Sequence, residues 1–168
     1  LRNSEGFYYV FCKLEEIDTV PKFTPDSEKR RRDLEEYEKR HRQLPFLMSP
    51  MITNGALAIE LAFKFLIFKE NLEFECEHKL DILFLQLPQK YGDELRTKIY
   101  EQIHQNEESL MKNLNQISNL FVEARYSFER DTIGYSNFFI DLVHLVCDYV
   151  IDMKKEYIHE EDDILADD

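Results

Sequence analysis

The chain has little glycine and proline, and this scarcity narrows the folds open to it. Four glycines and five prolines in 168 residues are too few for a turn-rich β fold and favour long helices. Tryptophan is absent, but thirteen phenylalanines and nine tyrosines can fill a core. With 43% hydrophobic and 33% charged residues, the composition is typical of a soluble globular protein rather than a disordered one.

Cysteines are also few, and the three that occur, Cys12, Cys76 and Cys147, are far apart and form no C-x-x-C motif. An odd number of widely spaced cysteines is typical of a reducing compartment. Cys12 and Cys147 fall on apolar helix faces, which predicts small core side chains rather than nucleophiles. Glu60 and Lys64 interrupt the longest apolar run, so we expect a cytoplasmic protein without a membrane-spanning segment.

Lysine and arginine are fewer than aspartate and glutamate, 21 against 34, so the net charge is −13. Residues 156–168 contain seven acidic residues and no lysine or arginine, which is about half of the imbalance. This acidic tail predicts a solvated end, or alternatively a strip that docks on a basic partner. Because phosphate neutralisation needs clustered lysine and arginine, the acidity argues against unassisted, sequence-independent nucleic-acid binding.

Apolar residues recur at steps of three and four along most of the chain, which predicts an all-α, up-and-down helical bundle without strands. We expect a single domain, 1–168, with its core at about 50–155 and a charged peripheral helix at 26–44. The first expected helix runs from Glu5, capped by Ser4, to Asp18, and the most apolar one runs from Pro50, capped by Ser49, to Glu70. A short helix is expected over about 80–87, and the next begins at Asp93 after a turn at Tyr91–Gly92. The last two helices begin after the caps Asn106 and Ser136, and the former ends at about Glu129.

The stretch 49–70 is the most apolar in the chain, and a helix that is apolar on most sides belongs inside a bundle. Glu60 and Lys64 lie on one side of it, and charges there are costly to bury unless they are paired. If this helix packs antiparallel to the one that carries Arg125, we expect an ion pair between Glu60 and Arg125.

Polar residues on these two helices, together with His78 at the opening of the short helix between them, form one candidate site with two interpretations. They serve either as a structural network, or as a cleft that holds a nucleotide or RNA phosphate through Lys64 and Arg125. The candidate residues are Glu60, Lys64, His78, Arg125, Tyr126 and Glu129.

The charged helix at 26–44 carries the one basic cluster, with Arg30, Arg31 and Lys39 as candidate phosphate contacts. Acidic residues follow at once, which favours a solvated, salt-bridged helix over a nucleic-acid patch. The five histidines are scattered without the spacing of a complete ligand set. We therefore expect neither a metal nor a cofactor.

Three segments are informative through their order and spacing in the chain. They are N-G-A-L-A-I-E-L-A-F-K-F-L-I-F at 54–68, E-H-K-L-D-I-L-F-L-Q-L-P at 77–88, and F-V-E-A-R-Y-S-F-E at 121–129. Together they resemble the HEPN superfamily (higher eukaryotes and prokaryotes nucleotide-binding). The resemblance implies a helical bundle, often a homodimer, in bacterial defence or toxin–antitoxin systems. It implies a nucleotidyltransferase or an antitoxin as a protein partner, with RNA as a further candidate.

Many HEPN members are metal-independent ribonucleases with an Arg-x-x-x-x-His motif, and this chain lacks it. The residues five positions before its histidines are Glu36, Glu73, Ile99, Phe139 and Lys154. We therefore expect a non-catalytic HEPN-like binding or assembly module. The alternatives are a metal-independent ribonuclease with a non-standard site around Arg125, and an acidic partner-binding or inhibitor protein.

Overall fold

The computed structural model describes residues 2–18, 27–42, 44–70, 77–125 and 137–165, and within these ranges the chain forms helices and no strand. The prediction of an all-α bundle is confirmed. The helices are α1 (Arg2–Asp18), α2 (Ser27–His41), α3 (Leu44–Lys69), α4 (Leu80–Leu85), α5 (Gln89–Ile103), α6 (Glu107–Arg125) and α7 (Asn137–Leu165).

Helix α3 is the centre of the bundle and packs against α1, α4, α6 and α7. Its side chains Ile52, Ile59, Phe63 and Leu66 are fully buried. Each such side chain contributes about 1.5–3 kcal/mol when it is removed from water. The expectation that this apolar segment lies inside the bundle is therefore confirmed.

Three helices meet at Gly55, where a side chain would have no room. A Cβ atom there would lie 2.7 Å from Phe139 Cζ, 2.9 Å from Phe11 Cδ2 and 3.0 Å from Val143 Cγ2. The rings of Phe11 and Phe139 pack edge to face, with 5.9 Å between their centroids. Gly55 therefore lets α1 and α7 approach α3 closely.

The predicted start of α3 is wrong, because the helix begins at Leu44 and Pro50 lies inside it. Ser49 is therefore not the cap, and the residues at 44–49 are also helical. A proline inside a helix removes one backbone hydrogen bond and favours a kink. Met51 and Ile52 are buried directly after it, so tertiary packing holds the chain helical through the proline.

Two other predicted helix starts are also wrong. Helix α1 begins at Arg2, so Ser4 lies inside it, and its hydroxyl donates to the carbonyl oxygen of Ala58 at 2.9 Å. Helix α5 begins at Gln89, so Tyr91 and Gly92 are buried helical residues rather than a turn. The cap predicted at Asn106 is observed, since its Oδ1 accepts from the backbone N–H of Ser109 at 2.9 Å.

The periphery of the bundle consists of charged helical surface. Helix α2 packs on α1 and α3, and its basic residues at 29–32 are exposed. Helix α7 continues to Leu165, so most of the segment predicted as an acidic tail is a helical extension.

Within the described residues, Ser49–Lys69 is long and apolar enough to span a membrane, although Glu60 and Lys64 led us to expect no such helix. In the present fold, 61% of its most apolar stretch is buried inside the bundle, as in the core helix of a globular protein.

Candidate functional site

The structure brings together three of the six predicted cleft residues. Glu60 is buried, with 5% of its surface exposed, and its Oε1 accepts from Lys64 Nζ at 2.7 Å. The same oxygen lies 2.8 Å from His78 Nδ1, on the segment that leads into α4. Because a buried carboxylate is costly without partners, this contact stabilises the junction between α3 and the start of α4.

The other three predicted residues lie outside the described part of the structure. Arg125 is the last residue of α6, and its side chain is not described, nor are Tyr126 and Glu129. The expected Glu60–Arg125 ion pair therefore remains a prediction. The observed partners of Glu60 are Lys64, one turn along its own helix, and His78.

The basic candidates are on the exposed surface of α2. Arg30, Arg31 and Lys39 are all exposed, and Arg31 Nε lies 3.7 Å from Glu35 Oε1. An exposed pair at this spacing contributes only about 0.3–0.5 kcal/mol. The geometry is that of a solvated, salt-bridged helix.

A second polar network, which the sequence did not predict, joins α1 to α7 through His144. Its Nδ1 lies 2.8 Å from the hydroxyl oxygen of Tyr8, and its Nε2 lies 2.7 Å from Glu15 Oε2. The Tyr8 hydroxyl also donates to Asp148 Oδ1 at 2.9 Å. Both ring nitrogens of His144 are therefore engaged within the chain.

The number of these contacts that can be hydrogen bonds at the same time depends on the protons of the Tyr8 hydroxyl and of the His144 ring. Tyr8 has one hydroxyl proton, which goes either to Asp148 or to His144. If it goes to Asp148, the contacts to Tyr8 and Glu15 both need a proton from the ring of His144. All three hydrogen bonds therefore form together when both ring nitrogens are protonated.

The phenol of Tyr8 is fixed in its protonated form. Burial raises its pKa well above the ordinary value, and the hydrogen bond and negative charge of Asp148 raise it further. Tyr8 is therefore a hydrogen-bond donor throughout the neutral range.

Two members of this network, His144 and Asp148, line a pocket of about 350 Å³ between α5 and α7. That volume lies near the lower end of the range for small-molecule sites, about 300–1,000 Å³. The lining residues are Lys98, Gln102 and Ile103 from α5, and Asp141, His144, Leu145, Asp148, Tyr149 and Asp152 from α7.

The sequence missed this site because its members are far apart in the chain. Tyr8 and His144 are separated by 136 positions and belong to no common motif. A weak local signal was present in α7, where Asp141, Asp148 and Asp152 recur on one helix face opposite its apolar stripe. That signal marks a polar face but does not identify the helix that covers it.

Metal and thiol chemistry find little support in the described part of the chain. It contains no group of three or more histidine, cysteine, aspartate or glutamate side chains placed to hold a metal ion. Burial raises the pKa of the Cys147 thiol above its usual value, and it also raises that of Cys12. Thiols in that state are poor nucleophiles at neutral pH.

Comparison of the chain with protein-family models, with curated proteins and with solved structures finds no match in any of the three. The similarity to the HEPN superfamily therefore remains a prediction from the sequence.

Proposed function

We propose that the protein is a non-catalytic helical binding module whose ligand site is the pocket between α5 and α7. The observation that carries this proposal is the state of His144, a histidine in the pocket wall. Tyr8 and Glu15 engage both of its ring nitrogens. A histidine that acts as a general acid or base needs a nitrogen within reach of the substrate. Because both ring nitrogens of His144 are already engaged, the pocket is better suited to holding a ligand than to transferring a proton.

The contact around Glu60 supports the same proposal. Its carboxylate is buried and already accepts from Lys64, with His78 at hydrogen-bond distance. Such a group stabilises the packing of α3, whereas a catalytic carboxylate has to face a substrate.

Following the HEPN resemblance, we also propose that the module assembles as a homodimer, and that a nucleotidyltransferase or an antitoxin is a protein partner. Four large side chains, Tyr9, Phe68, Leu85 and Tyr100, are each more than 60% exposed. Exposed apolar surface favours assembly when it forms a patch. Light scattering at micromolar concentration tests the dimer, and the mass of a monomer would contradict it.

A cleavage assay separates the binding module from the ribonuclease alternative. The protein is incubated with mixed RNA, with and without EDTA, beside Arg125→Ala and His144→Ala. We expect no cleavage by the wild-type chain. Cleavage that Arg125→Ala abolishes would establish the ribonuclease, and cleavage that His144→Ala abolishes would make the α1–α7 network catalytic. Cleavage at the same rate in all three proteins would point to a contaminating nuclease.

A further inference from the structure

The pocket between α5 and α7 carries a row of carboxylates on one wall. Asp141, Asp148 and Asp152 follow one another at steps of seven and four residues, so they lie along one face of α7. At a rise of about 1.5 Å per residue, the first two are about 10 Å apart along the helix axis and the last two about 6 Å apart. Lys98, from α5, is the one lysine or arginine among the lining residues.

Two of these carboxylates form no ion pair with the described residues. Asp141 makes no hydrogen bond or ion pair with the described residues, and Asp148 accepts from Tyr8, which is a neutral donor. Asp152 differs, because Lys155 Nζ donates to its Oδ1 at 2.8 Å on the exposed surface. At this end of the pocket, two carboxylates without an ion pair, Asp141 and Asp148, therefore stand against the ammonium group of Lys98. His144 lies between them in the lining, with its Nε2 at 2.7 Å from Glu15 Oε2.

On the same helix as the carboxylates, the lining includes the aromatic ring of Tyr149, which lies near the ammonium group of Lys98. Lys98 Nζ lies 5.9 Å from the centroid of the Tyr149 ring, and the hydroxyl of Tyr149 donates to Glu94 Oε2 at 2.6 Å. Aromatic faces attract cations through their quadrupole. The side chain of Lys98 thus shows that an alkylammonium group fits against this wall.

We propose that the pocket binds a linear polyamine, an alkyl chain with several ammonium groups, along the face of α7 that carries Asp141, Asp148 and Asp152. This inference rests on the proposed role of the pocket as the binding site. With bonds of about 1.5 Å, nitrogens separated by three or four carbons lie about 5–6 Å apart. One such nitrogen–nitrogen distance matches the separation of Asp148 and Asp152 along the helix axis. Two of them in series match the separation of Asp141 and Asp148.

Other cations fit this row of carboxylates less well. A divalent metal ion needs its oxygen ligands about 2.0–2.6 Å from one point, whereas these aspartates follow one another along the helix. A single ammonium group would neutralise one carboxylate and leave the others. The methylene segments of a polyamine can also cover apolar lining such as Leu145 and Ile103.

Titration calorimetry of the full chain tests the proposal, with spermidine, butylamine and Mg²⁺ as probes at constant ionic strength. We expect one spermidine per chain, bound at least tenfold more tightly than butylamine and not displaced by millimolar Mg²⁺. Asp141→Asn should weaken spermidine binding about tenfold through the loss of one close charge pair. Lys98→Met should strengthen it, since it removes the competing ammonium group but keeps the length of the side chain.

Two matched controls remove the same charge elsewhere. Glu36→Gln lies on the exposed surface of α2, and Asp162→Asn lies in the acidic extension of α7; each should leave the affinity unchanged. Circular dichroism confirms that every variant is folded before it is titrated.

Spermidine that binds no more tightly than butylamine would overturn the proposal. So would equal losses in Asp141→Asn and the two controls, because they would show general attraction to an acidic chain. A lysine-rich peptide that binds more tightly than spermidine would also contradict it. These results bear on the ligand class, whereas the cleavage assay bears on the absence of catalysis, so the two proposals fail separately.

Discussion

His144 Nδ1 lies 2.8 Å from the hydroxyl oxygen of Tyr8, although 136 positions separate the two residues in the chain. The contact ties the N-terminal helix α1 to the C-terminal helix α7. It also places Asp148 beside the same hydroxyl, at 2.9 Å. His144 and Asp148 therefore take part both in the link between α1 and α7 and in the lining of the pocket.

The first prediction concerns this hydroxyl. Tyr8→Phe removes it and leaves the Nδ1 atom of His144 and the carboxylate of Asp148 without their shared partner. We expect the free energy of unfolding to fall by about 1–2 kcal/mol. Urea denaturation measures the change. The control is Tyr100→Phe, at a side chain that is 65% exposed, where the change should stay within about 0.5 kcal/mol. Equal effects of the two substitutions would contradict the role of the network.

The second prediction compares two glycines inside helices. Gly55→Ala would place a Cβ atom 2.7 Å from the ring of Phe139, so we expect a loss of about 1–3 kcal/mol from overpacking. Gly6→Ala meets nothing within 4 Å on α1 and should stabilise the protein by about 0.5–1 kcal/mol through helix propensity. Thermal unfolding distinguishes the two signs. A stabilising Gly55→Ala would mean that the junction of α1, α3 and α7 is looser than it is here.

The third prediction concerns the buried carboxylate of α3. Lys64→Met leaves Glu60 with His78 as its remaining observed partner and should cost about 2–3 kcal/mol, below the 3–5 kcal/mol of a fully buried pair. The double variant Glu60→Gln with Lys64→Met should recover part of that loss, because no buried charge is left unpaired.

Urea denaturation of the two single variants and the double variant gives their coupling free energy. The control is Lys13→Met, because the Lys13–Glu16 pair is more than half exposed and contributes little. Strictly additive effects of Glu60→Gln and Lys64→Met would show that the two side chains do not depend on each other.

The fourth prediction is a dependence on alkaline pH. Burial, followed by the hydrogen bond to Glu70, raises the pKa of Tyr91 to about 12. The unfolded chain loses this proton near pH 10, whereas the folded chain keeps it. Stability due to this hydroxyl is therefore present below pH 10 and is lost as the pH rises to 12.

Tyr91→Phe keeps the ring that lies near Lys69 and Lys90 but removes the titrating hydroxyl. The free energy of unfolding of the wild type should fall more steeply than that of the variant between pH 10 and pH 12. Urea denaturation at several pH values in this range gives both slopes, and parallel slopes would exclude the assigned cause.

Local patterns in the sequence predict much of this fold and one of its polar contacts. The apolar positions of α3 and α7 repeat within each helix, so periodicity alone identifies their buried faces. Glu60 and Lys64 are four residues apart on one helix, and that spacing brings their side chains together regardless of the rest of the fold.

The remaining features depend on tertiary structure. Pro50 suits the start of a helix, but α3 begins at Leu44 and continues through the proline to buried Met51 and Ile52. Ser4 suits a cap, but a carbonyl group of α3 binds its hydroxyl instead. The pocket and the His144 network require α1, α5 and α7 to be placed relative to one another, which no pattern within a single helix determines.

Reactivity of the histidines toward diethylpyrocarbonate tests most directly the claim that His144 has no open ring nitrogen. The reagent attacks an unprotonated, accessible nitrogen, and mass spectrometry locates each product. The side chain of His104 is exposed and makes no hydrogen bond with the described residues, so it serves as the internal reference. We predict that in the folded protein at neutral pH His144 reacts at least tenfold more slowly than His104. Equal rates at the two residues would show an open nitrogen in the pocket wall and would contradict the non-catalytic binding module.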